Sequence, residues 1–330
     1  MGYMKKRVLI LHGWESNSKE HWFLEEKQRL EKLNCEVIVP DMPNTFHPEK
    51  EEWIEIVEGF TPDDNSVLIG HSLGGVTTLR FARKAAEEYS IGRMELGFPY
   101  PVGRVRDLSP EVKKEIEGIA GSFKVTCHAP MVNLASIDER KRKENINEMI
   151  ASIEFSLEKG ANQFVIHLAA AGIFSFLPWS NKNSNHKLIQ EAGEKSFHEI
   201  TEYFQGKNPI YGLENLTSHE PGFQDPQDFA HLFKDNVGLT IDTVHAISWK
   251  LDPVRLIDQY RKHLVEVHLT DGTGLGKVVK HYALGKGIVP LQRVLQKLRE
   301  IDFSGPVVIE VDSKKDFVAS LEWLVRSPMQ

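Results

Sequence analysis

Cysteine is nearly absent from this chain: 330 residues hold only Cys35 and Cys127, and their spacing is not CxxC. That excludes a disulfide framework and a cysteine-ligated zinc site. No apolar run reaches the roughly 20 residues of a membrane-spanning helix. The first one, Val8 to Leu11, stops at His12-Gly13-Trp14-Glu15, short of a secretory core. A basic surplus is also missing: the formal net charge is −7, which gives no general attraction to nucleic acid or an anionic membrane. The expected setting is cytoplasmic, with no membrane partner. Hydrophobic content of 41% and charged content of 26% fit a folded globular protein rather than a disordered or fibrous one.

What is present is alternation. Ten short apolar, β-branched runs alternate with amphipathic stretches from end to end, the pattern of parallel β/α architecture. The runs are Arg7–Leu11, Glu36–Val39, Ser66–Gly70, Arg93–Phe98, Lys124–His128, Gln163–Leu168, Pro209–Glu214, Gly238–Asp242, Leu264–His268 and Pro306–Val311. Helices are predicted over Ser18–Leu33, Val76–Glu88, Ser109–Gly118, Asp138–Lys159 and Val289–Glu300, several opening on a capping residue. Eight of the runs lie from Ser66 onward, the number that closes a (β/α)8 barrel of about 250 residues. The expected fold class is therefore α/β: a (β/α)8 TIM barrel over residues 66–330 with a βαβα appendage over residues 1–65. Ser66–Gly70 is assigned as the first barrel strand, and the appendage is left with an unpaired edge.

Gly70-His71-Ser72-Leu73-Gly74 is the sharp strand-to-helix turn that can mount a nucleophilic serine. With "VLILHGWESNSKEHW", "EVIVPDMPNT" and "SVLIGHSLGGVTTLRF", residues 7–80 resemble the front half of a retinoblastoma-binding-protein-9-like serine hydrolase. The resemblance implies that Ser72 is the nucleophile and that backbone near Gly13-Trp14 helps form an oxyanion hole. A serine is inert until a histidine takes its proton, and after Phe81 no acid and histidine continue that fold. Ser72 therefore reads as a turn residue of a truncated hydrolase-like segment.

The later runs carry the chemistry. His128, His167, Glu214, Asp242, His245, His268, His281 and Glu310 fall at or just past the carboxyl ends of apolar runs or in the loops that follow. In a barrel those ends meet at one mouth, where active sites are built. Imidazoles and carboxylates are ligands for divalent zinc, manganese or iron, and gathered this densely they would go unsatisfied without a cation.

On "HAPMVNLAS", "DTVHA", "HLTDG" and "HYALGKG", residues from about 82 to 325 resemble the xylose-isomerase-like barrels. That superfamily comprises sugar and sugar-phosphate isomerases, epimerases and endonuclease IV. The resemblance implies a principal metal site of Glu214, Asp242, His268 and Glu310, with His128 and His167 beside it and His245 and His281 on the third side. The endonuclease pattern has an aspartate where this chain has Val279. A third metal would then rest on His245 and His281 alone, so one or two ions are expected.

The first reading is a divalent-metal-dependent sugar or sugar-phosphate isomerase or epimerase. Glu214 and Glu310 would act as acid and base beside a polarised carbonyl, and His245 would orient a substrate oxygen. Asn215 and Lys286 are weaker substrate contacts. Glu95 points toward the mouth or forms a structural ion pair. The alternative is an endonuclease IV-like phosphodiesterase acting at abasic sites, for which Arg104 and Arg106 are the one evident basic pair; DNA ranks below a small sugar as partner. A serine hydrolase using Ser72 is the third reading.

Overall fold

The structure is a computed structural model that describes residues 7–12, 15–19, 23–32, 35–60, 66–70, 93–97, 110–120, 124–169, 184–217, 222–274, 279–311 and 314–326. The chain divides into two compact units. One comprises Met1–Gly92, Leu108–Ser122 and Val311–Gln330; the other comprises Arg93–Asp107 and Phe123–Glu310. Ser72, Gly13, Trp14, the helix expected over Val76–Glu88, Arg104 and Arg106 lie outside the described residues. No helix among the described residues is long and apolar enough to cross a membrane.

The first unit contains β1 (Arg7–Leu11), α1 (Phe23–Lys32), β2 (Glu36–Ile38), α2 (Lys50–Phe60), β3 (Ser66–Gly70), α3 (Pro110–Ala120) and, at the far end of the chain, α9 (Lys314–Arg326). Its sheet is parallel and ordered β2-β1-β3. Here the expectation for Ser66–Gly70 is corrected: it is not the first barrel strand but the neighbour of β1, in register from Arg7↔Ser66 to Leu11↔Gly70. The physical reason lies in β1. Leu9 and Leu11 pack with Trp53, Val57 and Phe60, while Val8 and Ile10 pack with Phe23 and Val37. A strand buried on both faces needs partners on both edges, because its N–H and C=O groups have no water to turn to.

The second unit contains β4 (Arg93–Gly97), β5 (Lys124–His128), α4 (Glu139–Glu158), β6 (Gln163–Ile166), α5 (Ser184–Tyr203), β7 (Ile210–Glu214), β8 (Val237–Asp242), α6 (Thr243–Ser248), α7 (Pro253–Tyr260), β9 (Leu264–Leu269), α8 (Leu291–Glu300) and β10 (Val307–Ile309). Among the described residues seven strands, not eight, form this sheet. All neighbours are parallel, in the order β10-β9-β8-β7-β6-β5-β4. β6 and β8 are buried at every residue, as strands covered on both faces must be. In a flat sheet β4 and β9, five places apart in that order, would lie about 24 Å apart at the usual strand spacing. Instead Glu95 Oε2 of β4 stands 3.6 Å from His268 Nε2 of β9, so the sheet curls into a TIM barrel whose interior these side chains share.

Candidate metal centre

Local chemistry sets each side chain before any of them meet. β5 and β7 end on His128 and Glu214, β8 ends on Asp242, and His167 and Glu310 follow β6 and β10 directly. Asp242 also caps α6: its Oδ1 accepts the His245 N–H at 2.7 Å and the Thr270 hydroxyl at 2.9 Å. That places His245 one turn into α6, over the same mouth. His281 lies on the segment after β9, which is held by one buried carboxylate. Asp271 Oδ1 accepts the N–H of Gly272 and Val289, and Oδ2 accepts those of Gly285 and Gly287, all at 2.8–3.1 Å.

All eight sequence-predicted residues come together, in three groups that share members. Within each group one ligand atom per residue lies within 4.8 Å of the others. The first is His128, His167 and Glu214; the second is Glu214, Asp242, His268 and Glu310; the third is Asp242, His245 and His281. Glu214 joins the first two and Asp242 joins the last two. The third group therefore has three members, because Asp242 supplies the carboxylate that Val279 does not.

Tautomers follow from the hydrogen bonds. His128 Nδ1 donates to the Ala129 carbonyl at 2.9 Å, which turns Nε2 to Glu214 Oε2 at 3.4 Å. His167 Nε2 reaches the same oxygen at 2.9 Å. His245 Nδ1 donates to the Asn215 carbonyl at 3.1 Å, and its Nε2 faces His281 Nε2 at 3.4 Å. Two ring nitrogens at that distance need a proton or a cation between them.

The residues fit a divalent cation. Glu214 Oε1, Asp242 Oδ2, His268 Nδ1 and Glu310 Oε2, one atom from each member of the second group, are buried with no hydrogen-bond partner. His268 Nδ1 lies 2.9 Å from Glu310 Oε2 and 3.6 Å from Glu214 Oε1. Such spacings match the edge of a coordination shell with bonds of about 2.1 Å.

Without a cation the site balances its charges with protons. Burial lowers the pKa of His128, but the hydrogen bond to Glu214 and the nearby carboxylates raise it to about 9. Burial likewise lowers His245, and the charges of Asp242 and Glu214 raise it to about 10. His268 is driven well up by Glu214 and Glu95 against its burial. Burial pushes the Glu214 carboxyl up, yet the charges of His167 and His268 hold it well below the usual range. Glu310 is lowered in the same way, chiefly by His268.

Two further residues have defined partners. Asn215, a weaker substrate contact in the sequence reading, is fully buried and splints β7 to β8, with Nδ2 donating to the Asp242 carbonyl and Oδ1 accepting the Asp242 N–H. Glu95 faces the barrel interior beneath His268, with Oε2 3.6 Å from His268 Nε2, the ion-pair alternative of the sequence reading. Lys286 is exposed on the Asp271-anchored segment. Sequence reasoning missed Glu266, which is fully buried on β9 and takes a hydrogen bond from Gln163. Burial, together with the Glu95 charge, pushes its carboxyl up to about 8. A signal existed: Glu266 is two residues before His268 and so shares its face.

The chain resembles known proteins in both of its parts. Residues 8–119 match the serine hydrolase family, and residues 84–327 match the xylose isomerase-like TIM barrel. An uncharacterised protein of Methanocaldococcus jannaschii, MJ1311, is 28% identical over 235 residues, which is 66% of this chain and 75% of that protein. A D-tagatose 3-epimerase-like protein superposes with a TM-score of 0.64 at 24% identity, covering 76% of this chain and 93% of the other. Endonuclease IV of Thermus thermophilus superposes with a TM-score of 0.54 at 18% identity, covering 74% of this chain and 94% of the other. The match over residues 84–327 takes in the larger part of the sequence and all three ligand groups, and the chain belongs to the xylose isomerase-like TIM barrel family.

Proposed function

We propose that the barrel is a divalent-metal-dependent isomerase or epimerase of a small sugar or sugar phosphate. The observation that carries this reading is the placement of two glutamates about one ring nitrogen. Glu310 Oε2 and Glu214 Oε1 stand 2.9 and 3.6 Å from His268 Nδ1, each without a hydrogen-bond partner. Moving a proton on a carbon beside a carbonyl needs one group to remove it and one to return it. Glu310, about a third exposed, is the one turned to solvent and is assigned as the base; buried Glu214 is assigned to the other side. A bound zinc, manganese or iron ion would supply polarisation of the carbonyl. His245, tied through Nδ1 to the Asn215 carbonyl, would orient a substrate oxygen through Nε2. The epimerase-like structural neighbour and the acidic net charge support a small neutral or singly phosphorylated sugar over a polyanion.

One observation favours a second reading. Three ligand groups joined through Glu214 and Asp242 suit two or more ions a few ångströms apart, the arrangement that clamps a phosphodiester during cleavage. Metal analysis with two assays separates the readings. The isomerase reading expects wash-in of solvent deuterium at the carbon beside the carbonyl, seen by proton NMR across a panel of ketoses, aldoses and their phosphates in D2O. Chelator-sensitive cleavage of abasic duplex with no deuterium wash-in for any sugar would reverse the order.

A further inference from the structure

We propose that Glu95 and Glu266 seat His268 from beneath: their carboxylates face its Nε2–H and thereby leave Nδ1 bare toward Glu214 and Glu310. The inference rests on the metal-centre reading above and assigns work to a part of the barrel that reading does not use.

The two ring nitrogens of His268 face different pairs of carboxylates. Nδ1 looks to the mouth, at Glu310 and Glu214. Nε2 looks inward, 3.6 Å from Glu95 Oε2 and 4.0 Å from Glu266 Oε1. Both of those oxygens are buried without a hydrogen-bond partner, and so is Nε2. Glu95 is opposite Thr126 in the strand register where Gly97 is opposite His128, and Glu266 is opposite Thr240 where His268 is opposite Asp242. The pair therefore sits one layer below the centre, where barrels of this kind are ordinarily filled by branched apolar side chains. Two carboxylates in that layer are costly unless a donor meets them.

His268 is that donor. A neutral imidazole has one bare nitrogen and one N–H. If Nδ1 is the ligand atom, the proton belongs to Nε2, and it points at the pair. Ligating histidines ordinarily pass their second N–H to a carboxylate, which fixes ring orientation and strengthens the ligand. Gln163 Nε2 donates to Glu266 Oε2 and so holds that carboxylate with Oε1 toward the ring. The same inventory argues against a cation held by His268 Nε2 and the two glutamates, since one neutral ring cannot offer both nitrogens.

The test is Co2+ titration of the full chain, followed by its visible absorption and by chelator competition, for wild type, Glu95→Gln and Glu266→Gln. Each variant keeps its shape and loses the ionisable carboxyl. The expected result is binding weakened by about 10–100-fold at unchanged stoichiometry, with a shifted Co2+ spectrum. A purely structural role would leave affinity and spectrum alone in variants that fold; that result overturns the proposal. Loss of one whole equivalent of Co2+ with the remainder unaltered overturns it too, because it would mean a cation bound by the pair itself. Should the variants fail to fold, long-range proton–nitrogen correlation on Zn2+-loaded wild type decides: His268 protonated on Nε2 supports the proposal, and protonated on Nδ1 sinks it. A wild-type chain that takes up no Co2+ overturns the metal-centre reading itself, whereas a loaded wild type with unaltered variants overturns this inference alone.

Discussion

His268 Nδ1 and Glu310 Oε2 approach to 2.9 Å, yet neither atom is in a hydrogen bond. Two atoms this close whose lone pairs miss each other are aimed at a third body, and a cation is the body their chemistry accepts. Zn2+, Mn2+ or Co2+ should therefore stabilise the chain. At a free concentration of about 100 times the dissociation constant the gain is about 2.7 kcal/mol, read as a raised urea or thermal midpoint that EDTA reverses. A midpoint indifferent to all three ions would remove the basis for the metal centre.

Glu310 and Glu214 should separate in mutation. Glu310→Gln keeps an oxygen for the cation but cannot take a proton, so turnover should fall by about 10²–10⁴-fold with metal content largely retained. Glu214→Gln should instead lose metal, because Glu214 serves two ligand groups at once. Metal analysis beside the turnover assay checks both, and equal metal loss in the two variants would contradict the division of roles.

Much of this was legible in the residues, for local reasons. The helix expected over Asp138–Lys159 is Glu139–Glu158 with Asp138 as N-cap and Lys159 as C-cap, because capping is written in the few residues at each end. The ligand residues could be read because each sits where an apolar run stops. What could not be read is non-local. Ser66–Gly70 has the same apolar face in either sheet, and only its packing beside β1 decides which one takes it. Glu266 in "LVEVHL" shares the face of His268, yet an alternating strand ordinarily turns a carboxylate to solvent, and a one-dimensional pattern alone does not show how deep in a barrel that charge lies.

The Asp271 carboxylate should prove structural, with a functional consequence. It satisfies four backbone N–H groups of the segment that carries His281. Asp271→Asn would turn an amide toward some of those donors and should cost about 3 kcal/mol, while lowering occupancy of the group that includes His281. Gly287→Ala should act similarly, because a Cβ there would lie 2.2 Å from both Asp271 Oδ1 and Gly272 N. Urea unfolding with metal counting tests the pair. Full stability in Gly287→Ala would show that the segment yields where the geometry allows no room.

Stability should respond to pH in opposite senses with and without the cation. In the metal-free chain His128 and His245 are held up to about 9 and about 10. A group raised on folding stabilises fully below its unfolded pKa, about 6.5 for histidine, and that contribution is lost as pH climbs through the folded value. Glu266, raised to about 8, works in the same direction: above its unfolded value the folded carboxyl resists an ionisation that the unfolded chain makes freely. The EDTA-treated chain should therefore lose stability steadily from about pH 6 to pH 9. A cation needs those nitrogens bare, so its binding expels their protons and its affinity should rise over the same interval. Urea midpoints at about pH 6, 7.5 and 9, with EDTA and with Zn2+, measure both slopes. Because the negative charges of Glu214, Asp242 and their neighbours hold the imidazoles in their protonated form, a flat EDTA profile would mean that those carboxylates are not close enough to do so. The three ligand groups would then be open rather than gathered, and the metal affinity measured at neutral pH would have to come from somewhere else.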